Sequence, residues 1–123
     1  MIGYVTLGTN DIERAGRFYD ELLALIGGRR WMEAEGVFIA WLNSQTSPAI
    51  SVHRPFDGKP ATVGNGMMVA IIAGSSQQVD ALHRKALELG GTDEGAPGLR
   101  GGNFYAAYFR DLDGNKLNAF CAV

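Results

Sequence analysis

Residues 4–19 read YVTLGTNDIERAGRFY, an apolar strand pattern followed by a polar turn and then by apolar residues at helical spacing. The same order returns at residues 68–83, MVAIIAGSSQQVDALH, an offset of 64 residues (68 − 4 = 64). This offset also places Gly27, which follows the first helical pattern, on Gly91. Self-similarity at one offset is the signature of an internal repeat. The sequence therefore predicts two copies of one strand and helix unit.

The segments after each helix repeat with a second offset of 67 residues (118 − 51 = 67). It lays residues 37–42 (VFIAWL) over residues 104–109 (FYAAYF), and residues 50–53 over residues 117–120. The three-residue difference between the two offsets is a loop insertion, which repeats tolerate. Each half then reads β-α-β-β-β. The predicted fold class is α+β with two βαβββ repeats.

Local signals set the expected limits of two helices and about eight strands. Either Asn10 or Asp11 is expected to cap the first helix, and either Ser75 or Ser76 the second. The side-chain oxygens of these residue types accept hydrogen bonds from the free backbone N–H groups of the first helical turn. The pairs Gly27-Gly28 and Gly90-Gly91 end the helices. The predicted strands are residues 3–8, 30–34, 36–43, 49–54, 67–73, 92–94, 103–110 and 116–122.

The organisation along the chain is predicted to be one domain over residues 1–123. Repeat one covers about 1–55, a loop covers 56–66, and repeat two covers about 67–123. With 46% hydrophobic and 20% charged residues, a chain of 123 residues can bury a single core. The segment Asp111–Asn115 (DLDGN) is expected to form a tight hairpin turn.

Charge and cysteine content argue against several classes of binding partner and indicate the cellular location. The chain has 11 basic and 13 acidic residues and no run of like charges, so neither nucleic acid nor a membrane surface is expected as a partner. No signal peptide or membrane-spanning segment is predicted. The single cysteine, Cys121, permits no internal disulfide and is expected to pack on the helix side of its strand. These features predict a cytoplasmic protein.

Three stretches resemble the glyoxalase/bleomycin-resistance/extradiol-dioxygenase superfamily, also called vicinal-oxygen-chelate proteins: residues 4–19, residues 68–98 and residues 105–120 (YAAYFRDLDGNKLNAF). The most specific element is the pattern aromatic-x-Arg-Asp-x-Asp-Gly-Asn followed by a strand, at Tyr108–Asn118. The resemblance implies mixed sheets that curl around a shared cavity, with the helices outside. It also implies a homodimer, since two chains of such proteins often pair.

The resemblance further implies four metal ligands, typically a histidine on the first strand and a glutamate on the fourth strand of each half. The matching positions hold Tyr4, Ser51, Met68 and Asn118. None of these side chains is an anion at neutral pH, so a divalent ion would lack compensating charge. The sequence therefore predicts no metal and no other cofactor, with a divalent metal as the alternative.

Strand alternation selects the remaining candidates for a ligand site. His53 shares a face with Ser51, whereas His83 lies on the second helix, on the opposite side of the sheet. Tyr108 matches the tyrosine that hydrogen-bonds substrate in the extradiol dioxygenases, and the 67-residue offset places Trp41 as its counterpart. The alternative is that these side chains fill the interior and leave no cavity. The predicted ligand-binding residues are Tyr4, Trp41, Ser51, His53, Met68, Tyr108 and Asn118.

Two functions from different classes stay open. The first, which the neutral quartet favours, is binding of a small, partly apolar molecule without a metal, in the manner of the bleomycin-resistance members. The second is a lyase or isomerase of the glyoxalase type, or a ring-cleaving dioxygenase, with an atypical metal site. No catalytic residue is assigned. Arg100, in a glycine-rich loop, is within reach of an anionic substrate, although most exposed loop arginines have no such role.

Overall fold

The structure is a computed structural model that describes all residues from Met1 to Val123. Its two helices are α1, Ile12–Ala24, and α2, Ser76–Glu88. Both predicted helices and all eight predicted strands are present. The strands are β1 Tyr4–Gly8, β2 Arg29–Ala34, β3 Phe38–Leu42, β4 Ala49–His53, β5 Val69–Ile72, β6 Thr92–Leu99, β7 Phe104–Arg110 and β8 Lys116–Ala122.

The strands form two four-stranded mixed sheets of the same topology. The orders are β1-β4-β3-β2 and β5-β8-β7-β6. In each sheet the first strand of the half pairs in parallel with the last, and the other pairs are antiparallel. A parallel pair needs a long crossover connection, which here contains the helix of that half. The predicted α+β fold with two βαβββ repeats is thereby confirmed.

Both helices begin at a capping side chain that the sequence predicted. The Asp11 carboxylate accepts from the backbone N–H of Arg14, and the Ser75 hydroxyl accepts from the backbone N–H of Gln78. The two caps are 64 residues apart (75 − 11 = 64), the offset read from the sequence. A cap of this kind stabilises a helix by about 1 kcal/mol relative to alanine.

The glycine pairs end the helices, but the repeat shifts there by one residue. Gly27 and Gly90 adopt positive φ angles of 76° and 99°, so these two glycines correspond, at an offset of 63 rather than 64 (90 − 27 = 63). The following glycine, Gly28 or Gly91, donates its N–H to a carbonyl of the last helical turn at 2.8 Å. The two helices have the same length, but the segment from the cap to the positive-φ glycine is one residue longer in the first half (27 − 11 = 16 against 90 − 75 = 15).

One hydrophobic core joins the two halves. The helices touch each other, and α1 packs on β3 and β4 while α2 packs on β7 and β8. The core contains 20 buried residues drawn from both halves. Leu22 of α1, Leu82 of α2 and Phe109 of β7 are fully buried, and each such side chain contributes roughly 1.5–3 kcal/mol through removal from water. Cys121 belongs to this core, as strand alternation predicted.

The turn Asp111–Asn115 also connects the halves, a role beyond the hairpin expected from the sequence. Asp111 is buried, and its Oδ2 accepts from the Tyr19 hydroxyl of α1 at 2.6 Å. Asp113 accepts from the Thr9 hydroxyl at 2.6 Å. Side chains of the second half therefore bind Tyr19 of α1 and Thr9 in the connection between β1 and α1.

The lengths of the two helices can be compared with the thickness of a membrane. Each helix has 13 residues, about 20 Å at 1.5 Å per residue. The hydrocarbon core of a bilayer is about 30 Å thick. Neither helix has the length and apolar character needed to span it.

Candidate functional site

Each sheet has one face covered by helices and one face turned away from them, which we call the open face. On the first sheet, Val52 of β4 points into the core, so alternation places its neighbours Ser51 and His53 on the open face. On the second sheet, Phe109 and Leu117 point into the core. The open faces therefore carry the predicted residues Tyr4, Ser51 and His53 on the first sheet, and Tyr108 and Asn118 on the second; Met68 lies immediately before β5.

Ser51 and His53 on the first sheet already contact other side chains of the protein. Ser51 is buried, and its hydroxyl lies 2.9 Å from the hydroxyl of Thr6, which is directly opposite on β1. The same hydroxyl donates to the Val5 carbonyl at 3.2 Å. His53 stacks on its cross-strand partner Phe38, with ring centroids 5.7 Å apart. Ser51 therefore has little capacity left for a ligand.

Asn118 on the second sheet is in the opposite situation. It is 1% exposed, yet neither its amide nitrogen nor its amide oxygen has a hydrogen-bond partner. It lies between Tyr108 of β7 and Ala70 of β5 in the sheet register. An unpaired buried polar group costs about 1–3 kcal/mol, so it calls for a bound water or ligand. Asn118 is therefore the predicted site residue whose buried polar atoms lack a partner within the protein.

Two cations flank Tyr108 beside Asn118. The Arg100 guanidinium carbon lies 5.5 Å from the centroid of the Tyr108 ring, and the Lys116 Nζ lies 5.6 Å from it. Both distances are typical of cation–π contacts. Lys116 was missed at the sequence level, although its position two residues before Asn118 on the same strand places it on the same face.

The prediction that Trp41 lies on the open face is wrong. Its side chain is 1% exposed, donates from Nε1 to Asp20 Oδ1 at 2.8 Å, and packs against Tyr19 of α1. The register explains the error: Ala40 is opposite Ser51 in the way that Tyr108 is opposite Asn118, so the offset of these strands is 68 (108 − 40 = 68).

A difference in turn length causes this change of offset. The turn between β3 and β4 covers residues 43–48, six residues, whereas the turn between β7 and β8 covers residues 111–115, five residues. Because side chains alternate along a strand, a shift of one residue moves each of them to the other face. Ala40, not Trp41, is the counterpart of Tyr108 on the open face.

Asp20 holds Trp41 against the helix. Arg30 donates to both carboxylate oxygens of Asp20, at 2.9 Å and 2.8 Å. Partial burial acts to raise the pKa of Asp20, but the hydrogen bonds from Arg30 and Trp41 outweigh it, and the pKa is lowered from its ordinary value. The charged carboxylate thus fixes the indole on the core side.

Two cavities lie next to these residues. The first, about 490 Å³, separates β1 from β5 and is mostly apolar, with walls from residues 5–7, residues 69–72 and α1. The second, about 460 Å³, is lined by residues 63–68, Arg110 and Lys116. Among the predicted site residues, Met68 lines both cavities and Trp41 lines the first from the core side. Neither cavity is lined by Tyr4, Ser51, His53, Tyr108 or Asn118.

The chain thus consists of two βαβββ units that share one core and leave one face of each sheet free of helices. The sequence matches the Glyoxalase/Bleomycin resistance protein/Dioxygenase superfamily over residues 1–119. The chain belongs to this superfamily. A search of curated proteins returned no match.

Solved structures agree with this assignment. A glyoxalase/bleomycin resistance protein from Albidiferax ferrireducens T118 is 36% identical, with a TM-score of 0.88 over 98% of this chain and 97% of that one. A glyoxalase/bleomycin resistance protein/dioxygenase family enzyme from Burkholderia phytofirmans PsJN is 17% identical, with a TM-score of 0.77 over 98% of each chain. A lactoylglutathione lyase from Agrobacterium tumefaciens is 18% identical, with a TM-score of 0.71 over 98% and 92%. The last two similarities concern the fold alone.

The residues at the four implied metal positions do not fit a divalent metal. The Ser51 hydroxyl is used by Thr6 and Val5, and the side chain of Tyr4 is exposed. Asn118 offers one neutral oxygen, which cannot balance a double positive charge. No group of three or more His, Cys, Asp or Glu residues comes together anywhere in the structure. His83 lies on the helix side of the second sheet, where its Nε2 forms a hydrogen bond with Oδ1 of Asp93 at 2.9 Å.

Proposed function

We propose that this protein binds a small, partly apolar molecule on its open sheet faces and in the adjoining cavity, without a metal ion. The observation that carries the proposal is the state of two corresponding positions: Ser51 is saturated within its sheet, whereas buried Asn118 lacks any partner. A hydrogen-bonding ligand would satisfy Asn118, while a cation would be opposed by the nearby charges of Arg100 and Lys116.

The surroundings suit such a ligand. The 490 Å³ cavity between β1 and β5 falls in the size range of small-molecule sites, and its walls are mostly apolar. Tyr108 and the stacked pair Phe104 and Phe120, 5.2 Å between ring centroids, add aromatic surface on the second sheet. Apolar walls with a few polar groups are typical of binding sites for small organic molecules.

The proposal includes a homodimer in the cytoplasm. Large apolar side chains near the β1 and β5 edges are exposed, among them Ile2 at 59%, Met67 at 64% and Ile72 at 73%. Clustered exposed apolar side chains favour association with another surface, and a second copy of the chain is the partner that we propose. The single buried cysteine is compatible with a reducing compartment.

Metal analysis and ligand screening test the proposal together. Protein purified without a metal-binding tag, exposed to zinc, nickel, iron or manganese and then desalted, should carry well below one metal per chain. A metabolite screen by thermal shift should identify a ligand, since a ligand at 100 times its Kd adds about 2.7 kcal/mol of stability. Ala70→Phe, which fills the cavity wall, should abolish that shift, whereas Ala24→Phe on exposed α1 should keep it.

Stoichiometric metal that survives mild chelation would contradict the proposal. It would instead favour the second function, a lyase, isomerase or dioxygenase with an atypical metal site. Activity assays on the metal-loaded protein would then be the next measurement.

A further inference from the structure

We infer that the ligand of the second sheet carries an oxyanion, a carboxylate or a phosphate, held by Arg100, Lys116 and the Asn118 amide beside Tyr108. This inference rests on the proposed function, because it names the chemical class of molecule that the site binds. Four observations support it: the unpaired cations, the unpaired amide, the neighbouring aromatic surface and a cavity without acidic lining.

Neither Arg100 nor Lys116 forms a salt bridge, although Lys116 lies near enough to the Glu94 carboxylate for its charge to help lower the pKa of Glu94. Arg100 donates from Nη2 to the Ala96 carbonyl at 2.6 Å, and neither side chain forms an ion pair. The acidic side chain of this face, Glu94, is already bonded to Arg110 at 2.5 Å. The hydrogen bond from Arg110, followed by its charge, lowers the pKa of Glu94. Both positive charges lie beside the Tyr108 ring, so an anion that binds there gains a favourable electrostatic interaction.

The buried amide of Asn118 completes the polar part of the site. Its nitrogen is an unused donor directly across the sheet from Tyr108. An oxyanion accepts hydrogen bonds at several positions, so it can take one from Asn118 while it pairs with Lys116, which lies two residues away on the same face. A bound cation would satisfy neither the amide nitrogen nor the two positive side chains.

The apolar part of the ligand has its own surface. Phe104 and Phe120 stack on the same face, beyond Ala106 from Tyr108. On the other side, Lys116 lines the 460 Å³ cavity together with Arg110 and residues 63–68, and no acidic side chain lines it. The site thus matches a molecule with an apolar or aromatic body and one anionic end.

Three probes of similar shape test this inference: benzoate, phenyl phosphate and the neutral benzamide. Binding is measured by titration calorimetry and by the change in the Asn118 side-chain amide signal in NMR spectra. Benzoate or phenyl phosphate should bind more tightly than benzamide, and the affinity should fall with added salt. Arg100→Gln and Lys116→Gln should each weaken anion binding about tenfold, since each removes a charge-assisted hydrogen bond.

Matched controls are Arg84→Gln and Lys59→Gln, which remove cations outside this site and should leave binding unchanged. Tighter binding of phenyl phosphate identifies a phosphate ligand, and tighter binding of benzoate identifies a carboxylate. Benzamide binding as tightly as the anions, equal loss in site and control variants, or no binding of either anion would overturn the inference. The proposed function fails differently, through stoichiometric metal uptake.

Discussion

Replacing Tyr19 by Phe tests the contact that joins the two halves. Tyr19 is fully buried in α1, and its hydroxyl donates to Oδ2 of Asp111 at 2.6 Å. The variant removes one oxygen atom and keeps the ring, which packs against Phe18 and Trp41. The loss of stability therefore reports the hydrogen bond between the halves rather than the hydrophobic core.

The magnitude follows from the partners that Asp111 keeps. Its Oδ1 still accepts from the backbone N–H groups of Asp113 and Asn115, and its Oδ2 still accepts from the Asn115 side chain, each at 2.9 Å. The carboxylate thus stays partly satisfied. A hydrogen bond to a charged group contributes about 1.5–3 kcal/mol, so we expect a loss of about 2 kcal/mol. At roughly 4 °C per kcal/mol, the melting temperature should fall by about 8 °C.

Tyr105→Phe is the matched control. The Tyr105 hydroxyl donates to Asp80 Oδ1 at 2.7 Å, but this tyrosine is only half-buried, so water can replace the lost donor. We expect a loss below about 1 kcal/mol. Urea unfolding followed by circular dichroism measures both variants. Equal losses for Tyr19→Phe and Tyr105→Phe would refute the reasoning.

The pH dependence gives a second readout. Burial, and then the charge of Asp111, raise the pKa of Tyr19 well above its ordinary value. In the unfolded chain Tyr19 ionises near pH 10, whereas in the folded protein it stays neutral. Its contribution to the free energy of unfolding is therefore complete below pH 10 and is lost as the pH rises above it. Tyr19→Phe should lose stability less steeply than the parent above pH 10.

Two further predictions concern the helix stop and the tryptophans. In Gly91→Ala the added Cβ would lie 2.6 Å from the Arg110 carbonyl oxygen, so we expect the free energy of unfolding in urea to fall by about 1–3 kcal/mol. Gly74→Ala is the control, because its Cβ would meet no atom closer than 3.5 Å. Equal stability of the two variants would contradict the prediction. Trp31→Phe should shift the fluorescence emission to shorter wavelength, because Trp31 is 52% exposed while the remaining Trp41 is 1% exposed. An emission maximum typical of a solvated indole would disprove the placement of Trp41.

Much of the fold was predictable because its signals are local. Alternation along strands, a cap before each helix and glycine pairs after them depend on neighbouring residues only. The length of β6 was not predictable in this way. The strand was expected at residues 92–94, yet it continues to Leu99 through Gly95 and Pro97, residue types that are depleted in strands. Pairing with β7, with two irregularities in register, overrides the local preference.

The site was less predictable because it depends on register and on contacts across the sheet. The face on which Trp41 lies depends on the relative lengths of the β3–β4 and β7–β8 turns. An alignment of the two repeats without gaps does not show this difference. The hydrogen bond of Ser51 and the missing partner of Asn118 both depend on which residue lies opposite on another strand. Tyr4, Ser51, Met68 and Asn118 were selected by resemblance, and the structure shows that Ser51 is hydrogen-bonded within its sheet whereas Asn118 is not.

The repeat itself explains why the unpaired polar side chain lies in the second half. Thr6 and Ala70 occupy the same place in the two halves, at an offset of 64 (70 − 6 = 64), opposite Ser51 and Asn118 respectively. Where the first half has a hydroxyl that saturates its neighbour, the second has a methyl group that cannot. Asn118 is therefore left with two unused groups, beside two cations that form no salt bridge. Since a buried unpaired amide opposes folding, a molecule that satisfies it would stabilise the folded chain as it binds.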